Sequence, residues 1–225
     1  MKLLAIEAAT EACSAAVLID DEIIEKYQVA PRQHNELLLP MCEQVLADAG
    51  VSLSQLDAIA FGCGPGAFTG VRIAAGVAQG IAFAHDLPAA SVSTLANLAC
   101  QAEVDSDTLV LPAIDARMSE IYWATYRKKS DFNVELVFEE KVQAPEAIDI
   151  MQQSFAYGLG TGWGTYFNIL QKKTSLDQKN INAEALPRAK VTAYLGEQKV
   201  LSEELVDAAN ILPVYLRNKV THQKA

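Results

Sequence analysis

The sequence predicts an α/β protein of two related halves, each a mixed sheet covered by helices, with the lobes expected over residues 1–105 and 106–225. That expectation rests on the order of apolar runs. In the first half three short apolar runs follow one another and then alternate with helix-like segments. Around residues 104–108 the chain turns polar, and a second set of strands followed by alternating helices begins. Composition agrees with a packed core: 51% of the 225 residues are hydrophobic and 20% charged, so no disulfide or metal staple is needed.

Taken in order, residues 2–8, 12–19 and 22–29 read as strands, with Asp20-Asp21 suiting a tight hairpin between the last two. Pro31 ends the meander. Residues 34–49 read as a helix with Leu38, Met41, Cys42, Val45 and Ala49 on its apolar face and Gly50 as C-cap. Leu37, Leu39 and Leu46 widen this face beyond the roughly 100° of a singly buried helix. Two readings stay open: a helix packed on its own sheet and on a partner, or one covered within its own domain. Residues 58–62 read as a buried strand, 69–84 as a helix rich in small residues, 88–92 as a strand and 94–101 as a helix. In the second half 109–114, 120–127 and 135–142 read as strands, 144–153 as a helix, 155–159 as a strand and 166–172 as a helix. Residues 172–182 read as a surface loop, 191–201 as a helix, and 211–217 as a tail.

The strongest local motif is Gly62-Cys63-Gly64-Pro65-Gly66-Ala67-Phe68-Thr69-Gly70-Val71-Arg72. Glycines between a strand and a helix permit turns that side chains forbid. Thr69 is placed to cap the following helix, whose free N–H groups suit an anion. No Lys-Ser/Thr follows, so this is not a Walker A loop. Gly64 and Gly66 are therefore candidates for phosphate contact, with a tight structural turn as the other reading. Glu7, ending the first strand, is a second candidate: a carboxylate there suits Mg²⁺ carried with a nucleotide, or a local hydrogen bond. Asp115-Ala116-Arg117 offers either a ligand contact or an Asp–Arg pair stabilising a turn.

The helix after the glycine loop carries Gly76-xxx-Gly80 among Ala74, Ala75, Ala78 and Ala82. Each glycine costs about 1 kcal/mol of helix stability relative to alanine, a cost that close packing against another helix offsets. The surface expected to meet a partner comprises Leu38, Met41, Val45, Val71, Ile73, Ala74, Val77, Ala78 and Ile81.

Other chemistry is thinly represented. His34, His85 and His222 form no His-xxx-His or His-Glu-x-x-His pattern, and no Gly-x-Ser-x-Gly elbow occurs. Cys13, Cys42, Cys63 and Cys100 make no Cys-x-x-Cys pair and read as buried small hydrophobes in a reducing compartment. Glu7 interrupts an apolar N-terminus too short for a signal peptide, and the apolar stretch 73–84 falls short of the ~20 residues of a membrane span. A cytoplasmic protein without membrane attachment is expected. The net charge is −10, and no basic run exceeds Arg127-Lys128-Lys129. Affinity for nucleic acid draws on cations, so any role on RNA is expected to pass through a partner.

Six segments in order, residues 4–14, 64–72, 92–95, 114–118, 160–163 and 213–217, resemble the TsaB (YeaZ) family of bacterial tRNA threonylcarbamoyladenosine biosynthesis proteins. Residues 128–156 and 172–205 contribute little to the likeness. The resemblance implies an actin/Hsp70/hexokinase-like ATPase fold of two related lobes. It implies a part in installing N6-threonylcarbamoyl on adenosine 37 of tRNAs reading ANN codons. The catalytic paralogue TsaD would be the partner through the N-terminal helices, the ATPase TsaE a third component, and a second copy of the chain the partner in TsaD's absence. Where the paralogue carries its metal-binding His-xxx-His, Val92-Ser93-Thr94-Leu95-Ala96-Asn97-Leu98 has no histidine, so a subunit without catalytic or metal residues is implied. The one cofactor left open is a weakly held nucleotide at the subunit interface. Glu7 stands where the family usually has Asp, which weakens a Mg²⁺ role for it. An active phosphotransferase or metallopeptidase of the same fold, and an oligomeric module unrelated to tRNA, are the competing functions.

Overall fold

The computed structural model describes residues 1–150 and 153–217. Its first sheet is built from β1 (Lys2–Glu7), β2 (Ala12–Ile19), β3 (Glu22–Val29), β4 (Ala58–Gly64) and β5 (Ala89–Ser93), in the order β3-β2-β1-β4-β5. β1, β2 and β3 form the antiparallel meander, while β4 and β5 extend it in parallel from β1. The predicted hairpin is present: Ile19 faces Glu22, and Asp20 takes a positive φ of 51° between them.

α1 (His34–Ala49) and α2 (Phe68–His85) cover one face of this sheet. Leu4, Ile6, Ile59 and Phe61 point into the core they share with Leu38, Val45, Ala74 and Ala78. The alternate residues Leu3, Ala5, Ala58 and Ala60 point to the other face, as the period of a strand requires. β1 is thus buried on both sides, which is why it reads as a continuous apolar run.

The second sheet consists of β6 (Leu109–Arg117), β7 (Glu120–Ser130), β8 (Asn133–Gln143), β9 (Phe155–Leu159) and β10 (Ile181–Asn182), ordered β10-β9-β6-β7-β8. Again three antiparallel strands are extended by two parallel ones. Strand for strand this repeats the first sheet, so the duplication anticipated from the sequence is present in the topology.

The two halves exchange helices. α3 (Thr94–Cys100) belongs to the first half by sequence, yet Leu95, Leu98 and Ala99 pack with Val110, Ile114, Ala124 and Tyr126 of the second sheet. Conversely, α5 (Ala189–Leu201) lies on the first sheet, with Ala193 against Leu3, Ala5, Ala60 and Ala90. Its start is tied there by the Ala189 N–H to Ser14 (2.9 Å) and by Arg188 to Glu25 of β3 (2.6 Å). Val206 then pairs with Ala89 beside β5. The boundary expected at 105/106 separates the two sheets but not the helices: α3 and α5 each lie on the sheet of the other half, and Ile211 joins the first core. Periodicity shows that a helix buries a face, not which sheet receives it.

Two further expectations are corrected. Residues 144–150 form no α-helix; Pro145–Ala147 make one 3-10 turn, and Ile148 is drawn into the core around Leu111 and Trp163. Met151 and Gln152 lie outside the described residues, as do residues 218–225 with His222. The segment 172–182 is only partly a loop. α4 runs over Thr161–Thr174, Leu176 is buried, and Ile181–Asn182 form the edge strand β10. α4 starts earlier than predicted because its glycine-rich first turn hides a fully buried Trp163, whose indole N–H donates to the Leu111 carbonyl at 2.9 Å.

Candidate functional site

β1 delivers Glu7 to the end of the first sheet, opposite Ser14 of β2. The side chain is wholly buried. Oε1 accepts the Ala9 N–H at 2.8 Å, and Oε2 has no hydrogen-bond partner. Thr192 faces it, but that hydroxyl is engaged by Asn97 and by the Arg188 carbonyl. A Cβ on Gly62 would stand 2.1 Å from Oε2, so only glycine leaves room for this carboxyl. Burial pushes Glu7 up to about 7, against the opposing pull of the Ala9 and Ala8 N–H groups. Glu7 is absent from the wall of the cleft between the lobes, so it does not fit a Mg²⁺–nucleotide site there. Its hydrogen bond is the local one.

The glycine loop serves packing. The Ala67 N–H donates to the Ala9 carbonyl at 2.7 Å, and the Val71 N–H to the Ala67 carbonyl at 3.1 Å. These bonds start α2 at Phe68 with Ala67 as N-cap and no side-chain cap. Thr69 lies inside the first turn and does not cap it, contrary to expectation. A Cβ at Gly70 would fall 2.0 Å from the Ala8 carbonyl oxygen. The loop glycines therefore let α2 approach the β1–β2 turn at backbone distance. Gly64 is buried, with its neighbour Cys63 accepting the Val214 N–H at 2.7 Å, whereas Gly66 lines the interlobe cleft. Gly70→Ala is expected to destabilise the fold by roughly 1–3 kcal/mol, read by urea unfolding; an unchanged midpoint would show that the helix start can move away.

The cleft between the lobes has a volume of about 430 Å³. Thr10, Glu11, Arg32 and Gly66 contribute from the first lobe, Asp115, Arg117 and Thr161 from the second, and Tyr215 and Arg217 from the tail. Asp115 and Arg117 make the predicted turn pair: Arg117 donates its backbone N–H to Oδ1 (2.8 Å) and Nη1 to Oδ2 (3.0 Å). Arg117 also reaches Glu11 of the other lobe at 3.4 Å. Arg217 is committed to Glu120 and to the Ala116 carbonyl. The carboxylates and guanidinium groups at the cleft mouth thus largely satisfy one another. Among the described residues no three His, Cys, Asp or Glu side chains gather to hold a metal ion.

Most of the residues expected at a partner surface are covered by the protomer itself. Leu38, Met41, Val45, Val71, Ala74, Ala78 and Ile81 are buried within the protomer, and Ile73 and Val77 are half-buried against the same core. The alanine stripe of α2 faces its own sheet, leaving the two glycines on the opposite side. That outward side carries Phe68 (52% exposed), Arg72, Gly76, Gly80 and Phe83 (82% exposed), with Leu39 of α1 (49% exposed) on the neighbouring helix. A Cβ at Gly76 or Gly80 would meet nothing within 4 Å. Arg72 lies over the Phe68 ring, 3.2 Å from its centroid. Residues 72, 76, 80 and 83 follow helical spacing; counting from the glycines instead of the alanines would have found them.

Two lobes of matching topology about a cleft, joined by exchanged helices, define an actin-like ATPase fold. A family model described as TsaD, tRNA N6-adenosine threonylcarbamoyltransferase, matches residues 17–224. The tRNA threonylcarbamoyladenosine biosynthesis protein TsaB of Haemophilus influenzae is 40% identical over all of this chain and 97% of its own. That of Escherichia coli is 38% identical, covering 100% and 98%. The solved structure of YeaZ from Pseudomonas aeruginosa superposes with a TM-score of 0.85 at 43% identity, over 96% of this chain and 99% of that one. The chain belongs to the TsaB family of tRNA threonylcarbamoyladenosine biosynthesis proteins.

Proposed function

We propose that this chain is the non-catalytic subunit required for N6-threonylcarbamoylation of adenosine 37 in tRNAs reading ANN codons. It acts in the cytoplasm as scaffold and activator of a TsaD-type catalytic paralogue, together with a TsaE-type ATPase, and pairs with itself when alone. The observation that carries this reading is the outward face of α2, where apolar Phe83 and two glycines are left open on an otherwise well-packed helix. Small residues at such spacing admit a second helix at close range, and the open aromatic supplies an anchor.

Two features support the division of labour. Where the resemblance places the paralogue's histidines, Leu95 and Leu98 fill the second core. Asn97 binds the Arg188 carbonyl and Thr192, each at 2.9 Å, holding α3 to α5. That segment is spent on packing. The net charge of −10 disfavours an independent grip on RNA, so tRNA is engaged through the complex. No helix among the described residues is long and apolar enough to cross a membrane.

Reconstitution tests the proposal. With TsaD- and TsaE-type partners, ATP, threonine-derived donor and unmodified tRNA present, omission of this chain is expected to abolish multiple-turnover modification. Equal turnover without it would overturn the assignment.

A further inference from the structure

A second cavity, of about 760 Å³, opens between β8 and the C-terminal end of α5. Val214 alone among the described residues lines both the interlobe cleft and this cavity. Its polar centre is Glu140 of β8. Tyr126 donates its hydroxyl to Oε1 at 2.6 Å, and the Ser93 hydroxyl donates to the same oxygen. Ser93 is itself oriented, since its Oγ accepts the Leu95 and Ala96 N–H groups at 3.1 and 3.2 Å. Hydroxyls from two strands, β5 and β7, therefore hold one carboxylate oxygen in place, and among the described residues Oε2 takes no hydrogen-bond partner.

Among the described residues no cation pairs with this carboxylate. Lys199, also in the wall, is paired with Glu204 at 3.1 Å. Burial raises the Glu140 carboxyl above its ordinary range, offset only by the two hydroxyl donors. Carboxylates withdrawn from water are ordinarily paired. Val92, Val134, Leu136, Leu195 and Leu201 give the wall an aliphatic stretch, beside the polar Asn133, Gln198 and Ser202. At the mouth the apolar side chain of Leu201 is 77% exposed.

We infer that this cavity binds an organic monocation, a primary ammonium or guanidinium head on a straight aliphatic stem, with the head on Glu140 and the stem along the aliphatic wall. The fixed carboxylate suits a head with two or three N–H donors. The lining beyond it suits methylene groups, as lysine and arginine stems bury theirs. The inference stands independently of the pairing surface on α2.

The test is a titration of the full chain, followed by amide and methyl NMR, with n-butylammonium and n-butylguanidinium as probes and uncharged n-pentanol as control. Saturable shifts confined to Val92, Ser93, Val134, Leu195 and their neighbours are expected from the cations. Glu140→Gln keeps an acceptor for Ser93 and Tyr126 but removes the charge, and is expected to weaken binding about tenfold or more. Leu201→Lys, at an exposed position that does not threaten folding, places a competing ammonium at the mouth and is expected to weaken it as well. Putrescine and a blocked lysine peptide then separate the sources: tighter binding of the first marks a free amine, of the second a partner's side chain. No saturable shift, equal affinity in Glu140→Gln, or equal affinity for n-pentanol would each overturn the inference.

Discussion

Gly80→Arg is expected to leave the isolated chain folded while abolishing its pairing with a TsaD-type partner. Gly80 is exposed near the middle of α2, and a side chain built there meets no atom of the protomer. Glycine in a helix interior costs about 1 kcal/mol against a good helix former, so the variant should be as stable as the parent or up to about 1 kcal/mol more stable. A long cation on the same spot prevents a second helix from approaching at small-residue distance and leaves a charge to be desolvated. Loss of about 100-fold or more in pairing affinity follows if this face is the centre of the contact. Light scattering of the mixed chains reads the pairing, and urea unfolding reads the stability. Ala78→Glu supplies the contrast: Ala78 is fully buried, so that substitution should unfold the chain rather than merely separate it from a partner. Parental affinity in Gly80→Arg would move the interface elsewhere.

The second large effect is a dependence of stability on pH centred on Glu7. Its carboxyl is raised from 4.5 to about 7 by burial, so between those values the native state holds a proton that the unfolded chain has released. Stability from this group is fully present below the unfolded value and is lost as pH rises through the folded one. The loss amounts to about 3 kcal/mol for a shift of this size. Glu7→Gln has no proton to lose. The unfolding free energy of the parent should therefore fall relative to Glu7→Gln between about pH 4 and 8, the span bounded by the unfolded and folded values, as measured by urea unfolding. Parallel profiles would mean that the carboxylate is ionised and compensated in the native state. Burial outweighs the opposing backbone N–H groups and Oε2 has no hydrogen-bond partner among the described residues, so the neutral carboxyl is the native form below about pH 7.

Much of the fold was legible before any coordinates. β2, β3, α1 and β9 occupy the predicted spans, because their apolar residues repeat at strand or helix period and their ends carry turn residues. The Asp115–Arg117 pair and the local hydrogen bond of Glu7 were among the readings left open, and both are present. What went unread has identifiable causes. Thr69 looked like a cap, but backbone bonds from Ala67 to Ala9 and from Val71 to Ala67 set the helix start. The Ser93–Tyr126–Glu140 cluster joins residues 14 to 47 positions apart, and no local pattern marks such a meeting.

Residue pattern alone determined that this chain has two similar α/β halves, where most of its strands and helices lie, and to which family its motifs compare. Each of those depends on neighbours within a turn or a strand, so it is written in local order. Tertiary structure decided the rest: that α3 and α5 cross to each other's sheets, that the alanines of α2 face inward and its glycines outward, and that Glu140 meets the hydroxyls of Ser93 and Tyr126. Hydrophobic burial is non-directional. An apolar face states that it must be covered, and only the assembled molecule states by what.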